Sequence, residues 1–350
     1  MGSVPERSPG NIVARAPMPA PRAILPEAFP RYPASWYLFC DSNDLAERPL
    51  SKEMLGTRLV AFRAGSARQT IMEGRCSHMS ADLGRGRVVQ GRIQCPFHHW
   101  EYDAGGRCAR IPGRSRIPEF ARQQVYPAEE RHGFLFVFNG AEPLFQLPFF
   151  FESDPARFVA GSPFRFIADC SWYMLASNAF DFDHFQAVHD RELVGSPVID
   201  SPHPLARRSR FNAVVTGNSV CDRLIRGFAG NSVEVSITNW GGTIILVSGF
   251  FRRARSHMLI SARPIAADQT LVEVVVLAGR GSGAGALGLW IRRWFTRAFF
   301  QDDIARLGGI RYNPRSLTLE DRDLIDYFDW AASLPSGPAG DREADKEAVL

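Results

Sequence analysis

The feature that most constrains this chain is a pair of short motifs, Cys76-Ser-His78 and Cys95-Pro-Phe-His98, separated by sixteen residues. Each joins one thiol and one imidazole at loop spacing, so both side chains of a pair can face one metal centre from a tight turn, and Pro96 helps fix the second turn. Two such loops must be held together by a compact scaffold. The fold expected around them is therefore a small domain of short strands and tight turns.

The surrounding sequence supplies that scaffold. Between 34 and 145, short runs rich in β-branched and aromatic residues (35–39, 58–63, 70–72 and 133–138) are punctuated by Gly, Asn and Asp, which predicts an antiparallel all-β domain. A Pro-rich stretch at 143–155 marks its end. From 146 to 334 the pattern predicts a helix over 174–188, strands near 213–215, 232–238, 242–251, 257–264 and 269–278, and helices over 288–307 and 319–332. Antiparallel strands flanked by helices make this second domain, and the chain as a whole, α+β. Residues 1–33, rich in Pro, Ala and Arg, read as a mobile arm, and 335–350 as a disordered tail.

Composition narrows the function classes. A length of 350 residues, 45% of them hydrophobic, suits two domains. The formal charge is only +4 and no Lys/Arg block stands out, so no nucleic-acid partner is expected. Six dispersed cysteines do not form the dense pattern of a disulfide-stapled domain. The longest apolar stretches fall short of the roughly 20 residues that span a bilayer, so no membrane span is expected. The N-terminus lacks the basic start and apolar core of a secretory signal, and the expected location is the cytoplasm.

Three readings of the Cys/His cluster compete: chance proximity, a structural zinc site, and a Rieske [2Fe-2S] cluster with two cysteines on one iron and two histidines on the other. The run Cys95-Pro-Phe-His98-His99-Trp100-Glu-Tyr102-Asp, continued by Gly-Gly-Arg-Cys-Ala-Arg-Ile-Pro-Gly at 105–113, resembles the Rieske signature of ring-hydroxylating and related oxygenases. The resemblance implies that Cys76, His78, Cys95 and His98 bind the cluster. His99, where many members carry Gly, is then a variant position and no ligand, and Cys108 reads as a buried small residue.

A second constellation, Asn178-Ala-Phe-Asp181-Phe-Asp183-His184-Phe-Gln-Ala-Val-His189, lies in the second domain. Histidines five apart are turned by about 140° in a regular helix, and a widened, π-like turn would bring them together. Alone, the pair is a weak signal, because exposed or hydrogen-bonded histidines are common. Two histidines and a carboxylate with open positions form the ligand set of non-haem Fe(II) enzymes that activate oxygen. The pattern resembles the iron-binding helix of single-subunit-type Rieske oxygenases, among them demethylases and arylamine oxygenases.

That resemblance implies a helix-grip catalytic domain in which His184 and His189 bind a mononuclear Fe(II). It places a third, acidic ligand on a late helix, where Asp302 and Asp303 compete; the acidic residue before it and Leu307 four after it favour Asp303. It gives Asp181 a bridging role, hydrogen-bonded to a Rieske histidine, His98, and to His184 across the subunit boundary of a homotrimer. O2 as co-substrate and electrons from NAD(P)H, delivered by a ferredoxin or ferredoxin reductase, complete the expectation. Arg85, Arg87 and Arg92 near the cluster suit an acidic ferredoxin, or are ordinary solvated arginines. A Rieske electron carrier would need only the first domain, and a zinc-stabilised binding protein would be colourless. The substrate expected is small and aromatic or apolar, oxidised by arylamine N-oxygenation, hydroxylation or demethylation; the aliphatic strands between 214 and 276 fit an apolar pocket.

Overall fold

A computed structural model describes residues 24–45, 48–65, 68–281 and 285–338. The chain is α+β, with a β-rich first half and an antiparallel sheet with helices in the second. Three small antiparallel sheets build the first half: 36–41, 134–138 and 128–131; 50–54, 57–64, 68–73 and 125–126; and 87–89, 92–94, 101–102 and 108–110. Tight turns join them, and Gly106 shows why glycine is needed: its φ is +77° and a Cβ there would lie 2.2 Å from the Gln123 carbonyl.

In the second half, strands 191–203, 206–215, 232–240, 244–251, 255–266 and 269–279 follow one another as an antiparallel meander, closed at one edge by 158–160 and 164–168. Helices α1 (Trp172–Ser177), α2 (Phe182–His189), α3 (Val220–Phe228), α4 (Ala286–Arg306) and α5 (Arg322–Ala332) accompany the sheet. Alternating strand residues such as Ile237, Ile245, Ile260, Val272 and Val274 form one core with Leu175, Phe185, Phe300 and Phe328 of the helices.

A second buried cluster joins the halves, packing Trp36, Phe136 and Phe138 against Ile244, Leu259 and Leu277. Hydrogen bonds cross the same seam, from Leu38 N to Ser261 Oγ (3.1 Å) and from Thr243 Oγ1 to the Trp36 carbonyl (2.9 Å).

Three expectations change. The helix expected over 174–188 is two helices, α1 and α2, broken at 178–181. The arm expected over 1–33 lies outside the described residues up to 23, but its end is docked: Phe29 is buried and stacks on Tyr173 at 3.9 Å, and Tyr32 is buried. The start of the expected tail is docked as well, with Ala34 N donating to the Pro335 carbonyl (2.7 Å) and Gly337 N to that of Tyr32 (2.9 Å); residues 339–350 lie outside the described residues.

Candidate metal centres

The two Cys/His motifs occupy neighbouring loops of the first half. Cys76 follows strand 68–73, and Cys95 to His98 connect strands 92–94 and 101–102. Backbone hydrogen bonds fold each loop back on itself: Cys76 N to Ala81 O (2.9 Å), Ser80 N to Cys76 O (2.8 Å) and Cys95 N to Trp100 O (2.8 Å). His99 turns the second loop with φ of 58°, in the left-handed region.

The side chains meet in two pairs: the rings of His78 and His98 are 4.6 Å apart, and the thiols of Cys76 and Cys95 hydrogen-bond to each other. Both cysteines are buried, and His98 is exposed at the tip. A hydrogen bond from the Cys95 thiol, then the Tyr102 hydroxyl 3.1 Å away and the backbone N–H groups of His78 and Met79, pull Cys76 below its ordinary value in spite of its burial. Cys95, which donates that bond, is pushed up. His78 Nδ1 is buried without a hydrogen-bond partner, a costly state for a polar atom unless something ligates it. Two thiols, one of them thiolate-prone, and an orphaned imidazole nitrogen fit a soft metal cluster. Trp100 stacks on His78 at 4.4 Å and 6°, and with Tyr102 frames the site; both lay in the run quoted from the sequence, without an assigned part.

The second centre is built on α2. Asp181 is its N-cap, accepting from His184 N at 3.1 Å, and Asp183 adds a carboxylate to the first turn, where the helix dipole favours it. At the other end Asp190 adopts the left-handed conformation (φ 51°, ψ 49°) and donates to the Phe185 carbonyl five residues back. The wide turn expected between the histidines is thus a wide closing bond at the helix end, not a bulge inside it.

Across from α2, Asp303 projects from the late helix α4. Its Oδ1 lies 3.0 Å from His184 Nε2 and 3.1 Å from His189 Nε2, and donor atoms of the three residues all lie within 4.8 Å of one another. Burial raises the Asp303 pKa, but the hydrogen bonds and charge of His184 and His189 outweigh it and hold the carboxyl below its ordinary value. An ionised carboxylate and two imidazoles on one face fit a mononuclear iron. The Asp302 side chain lies outside the described residues. Asp181 meets His184 through the backbone, and among the described residues no hydrogen bond joins it to His98 within one chain.

Two neighbours of this centre escaped the sequence reading. Phe299 stacks on His189 at 3.8 Å and 11°, one helical turn before Asp303, a spacing that would have revealed it. Arg191 donates to the His189 carbonyl (2.6 Å) and pairs with Asp222 at the base of α3 (2.9 Å); nothing in the local sequence links those two. The triad opens on a cavity of about 310 Å³ whose walls include Phe211, Ile237, Ile245, Met258 and Phe295, with Asn178, Arg191, Arg255, Arg292 and Thr296 among its polar residues.

Comparison with known proteins bears on both halves. Residues 35–121 match the family model of the Rieske [2Fe-2S] domain. Over 175 residues the chain is 35% identical to aminopyrrolnitrin oxygenase PrnD of Pseudomonas fluorescens, covering 47% of each protein. Over 160 residues it is 31% identical to the oxygenase component of dicamba O-demethylase of Stenotrophomonas maltophilia, covering 44% of this chain and 47% of that one. The matches thus span about half the length of these curated relatives. The crystal structure of dicamba monooxygenase bound to 3,6-dichlorosalicylic acid superposes with a TM-score of 0.67 at 20% identity, covering 89% of this chain and 98% of that one; at that identity the likeness is one of fold. The chain therefore carries a Rieske domain joined to a second domain, in the fold of a Rieske oxygenase. Its relatives in sequence include an aminopyrrolnitrin oxygenase and the oxygenase component of an O-demethylase.

Proposed function

We propose that this protein is a Rieske non-haem iron monooxygenase that oxidises a small apolar, aromatic substrate. The observation that carries this is the convergence of His184, His189 and Asp303 at the end of an apolar cavity, in a chain that also bears a Rieske domain. When bound, the cluster and the mononuclear iron would supply stepwise electron transfer and reaction with dioxygen, fed by NAD(P)H through a ferredoxin or ferredoxin reductase.

The chain's own residues have distinct tasks. Cys76, Cys95, His78 and His98 would hold the cluster, and replacing two thiolates by neutral imidazoles raises its potential toward that of an electron acceptor. His184, His189 and Asp303 would hold the second iron from one side and leave the cavity side open. Phe299 and Arg191 fix the ring and the backbone of His189. Asp181, the N-cap of the iron helix, is the proposed bridge to His98 of a neighbouring subunit in a head-to-tail homotrimer, a ring that closes by rotation. Arg85 and Arg87 are exposed beside the cluster loops and suit an acidic ferredoxin, while Arg92 leans toward Glu101 at 3.7 Å. The domains we assign are 34–145 for the cluster and 146–334 for the mononuclear iron.

The cavity walls favour an arylamine or a similar flat apolar compound, as the name of the Pseudomonas fluorescens relative suggests; O- or N-demethylation of an aromatic ether or amine is the second reading, favoured by the dicamba O-demethylase relative. Single-turnover incubation of the chemically reduced holoprotein with arylamines, methoxyarenes and polycyclic compounds under labelled dioxygen, read by mass spectrometry, tests both. Labelled oxygen in an arylamine product supports the first reading, and formaldehyde with a demethylated product the second. Unchanged substrates throughout, with the cluster reoxidised, would contradict the oxygenase reading.

A further inference from the structure

Helices α3 and α4 share an unusual feature around one opening. Each turns one stripe inward to the cavity, Ile225 and Ala229 from α3 and Arg292, Phe295, Thr296 and Phe299 from α4. Each turns an adjacent stripe outward that is also apolar: Val220, Leu224 and Phe228 at i, i+4 and i+8 of α3, and Leu287, Trp290, Ile291 and Trp294 at i, i+3, i+4 and i+7 of α4. Trp290 is 61% and Phe228 77% exposed. Single exposed apolar residues are ordinary, but whole apolar stripes on two helices that also line one cavity mark an interaction surface.

The charge around this surface has one sign. The turn at 251–255 ties the two helices together: Arg253 donates to the carbonyl of Gly227 in the last turn of α3 at 2.8 Å, and Arg292 of α4 donates to the Arg255 carbonyl at 2.6 Å. Beneath it runs an open cleft of about 550 Å³ lined by Arg252, Arg253, Arg255 and Arg292 with no acidic residue. Among the described residues, Arg223, Arg252, Arg253 and Arg255 form no ion pair with a carboxylate. The α4 sequence carries three arginines and no acid before Asp302, and Asp222 of α3 is already committed to Arg191.

We infer that the mouth of the cavity is a peripheral membrane-binding surface, with the outward faces of α3 and α4 seated at the headgroup–acyl boundary and the arginine cleft taking the phosphates of anionic lipids. Tryptophan with arginine around an apolar face is the composition of helices that lie on an anionic bilayer. No helix among the described residues is long and apolar enough to cross a membrane, so the attachment is to its surface. A second copy docking symmetrically on this face would set like charges against each other, and the head-to-tail ring proposed above joins subunits through Asp181 and His98, neither of which lines this mouth or its cleft; both points favour lipid as the occupant. The surface rests on the two helices alone; delivery of a lipid-soluble substrate straight into the cavity rests on the oxygenase reading as well.

Co-sedimentation of the cluster-containing protein with sucrose-loaded vesicles tests the surface without using turnover. Vesicles of phosphatidylcholine with about one-third phosphatidylglycerol should carry the protein down in a salt-sensitive way, and phosphatidylcholine alone much less. W290S/W294S should weaken that partition about tenfold or more, and R252Q/R253Q should erase the preference for anionic lipid, both with the visible absorbance of the cluster unchanged. Should the tryptophan variant not fold, brominated lipid should still quench the fluorescence of the unmodified protein. Absence of sedimentation with either vesicle, or an undiminished partition of W290S/W294S, overturns the inference. So would sedimentation velocity showing that W290S/W294S breaks up an assembly of a protein that does not bind vesicles. Arginine-dependent binding of inorganic phosphate without any vesicle binding would reduce the cleft to an anion site and overturn it too.

Discussion

His99 sits in the left-handed backbone region with φ of 58°, between a cluster loop and the strand that begins at Glu101. That geometry explains why a glycine suits this position, since an L side chain there costs on the order of 1 kcal/mol. His99→Gly is expected to retain the cluster and to alter stability by no more than about 1 kcal/mol in denaturant titration. Bleaching of the cluster in that variant would make His99 a ligand. His257 offers a test by pH. It is buried with Nδ1 3.0 Å from Ser248 Oγ, and desolvation first, then Arg255 and Arg292, lower its pKa to about 4. The unfolded chain binds this proton near the ordinary value of about 6.5, the folded chain only near 4. The unfolded state therefore holds more protons between those values: stability is full above the upper one and falls as the pH drops toward the lower. At about pH 5 the loss is about 2 kcal/mol relative to neutral pH, and His257→Gln should abolish that part of the pH dependence of the urea midpoint.

At the scale of elements, one ion pair holds α3 to the start of the strand 191–203, directly after α2. Asp222 and Arg191 are both buried at 2.9 Å, and Ser219 Oγ caps α3 by accepting from Asp222 N at 3.0 Å. Asp222→Ala leaves a buried guanidinium without its partner and should cost on the order of 3 kcal/mol, whereas Ser219→Ala should cost about 1 kcal/mol; urea unfolding followed by circular dichroism measures both. Neither α3 nor the strand 191–203 was legible in the sequence. The strand contains Gly195 at φ +76°, Pro197 and two register shifts, so it lacks a period of two, and α3 spans only nine residues, too few for its apolar i, i+4, i+8 spacing to stand out. The strands at 232–240, 244–251, 255–266 and 269–279 were legible because one sheet face is buried throughout and forces alternation or a continuous apolar run. The cluster residues were legible as two local pairs because each sits within one loop. Asp303 is 119 residues from His184, and only the resemblance, not spacing, pointed to it. The break between α1 and α2 was missed because apolar residues continue through Ala179 and Phe180, both buried in the core.

At the scale of the whole molecule, the two candidate metal centres lie in different halves, joined by a buried seam around Trp36, Phe138 and Leu259. If electrons pass from the cluster of one subunit to the iron of the next, two inactive variants should complement each other. His98→Ala removes a proposed cluster ligand at an exposed tip, and Asp303→Ala a proposed iron ligand. Co-assembled, they should recover turnover well above that of either alone, because some junctions then join an intact cluster to an intact iron site. Mixtures as inactive as the parents, with subunit exchange verified by mass, would place transfer within one chain. The most direct measurement is simpler still: iron and acid-labile sulfide per chain in anaerobically purified protein, with electron paramagnetic resonance before and after reduction. Two cluster irons and one mononuclear iron predict roughly three irons and two sulfides, with a Rieske signal appearing on reduction, and about two irons in Asp303→Ala with that signal unchanged. A colourless protein holding zinc, or an Asp303→Ala variant that keeps all its iron, would contradict it.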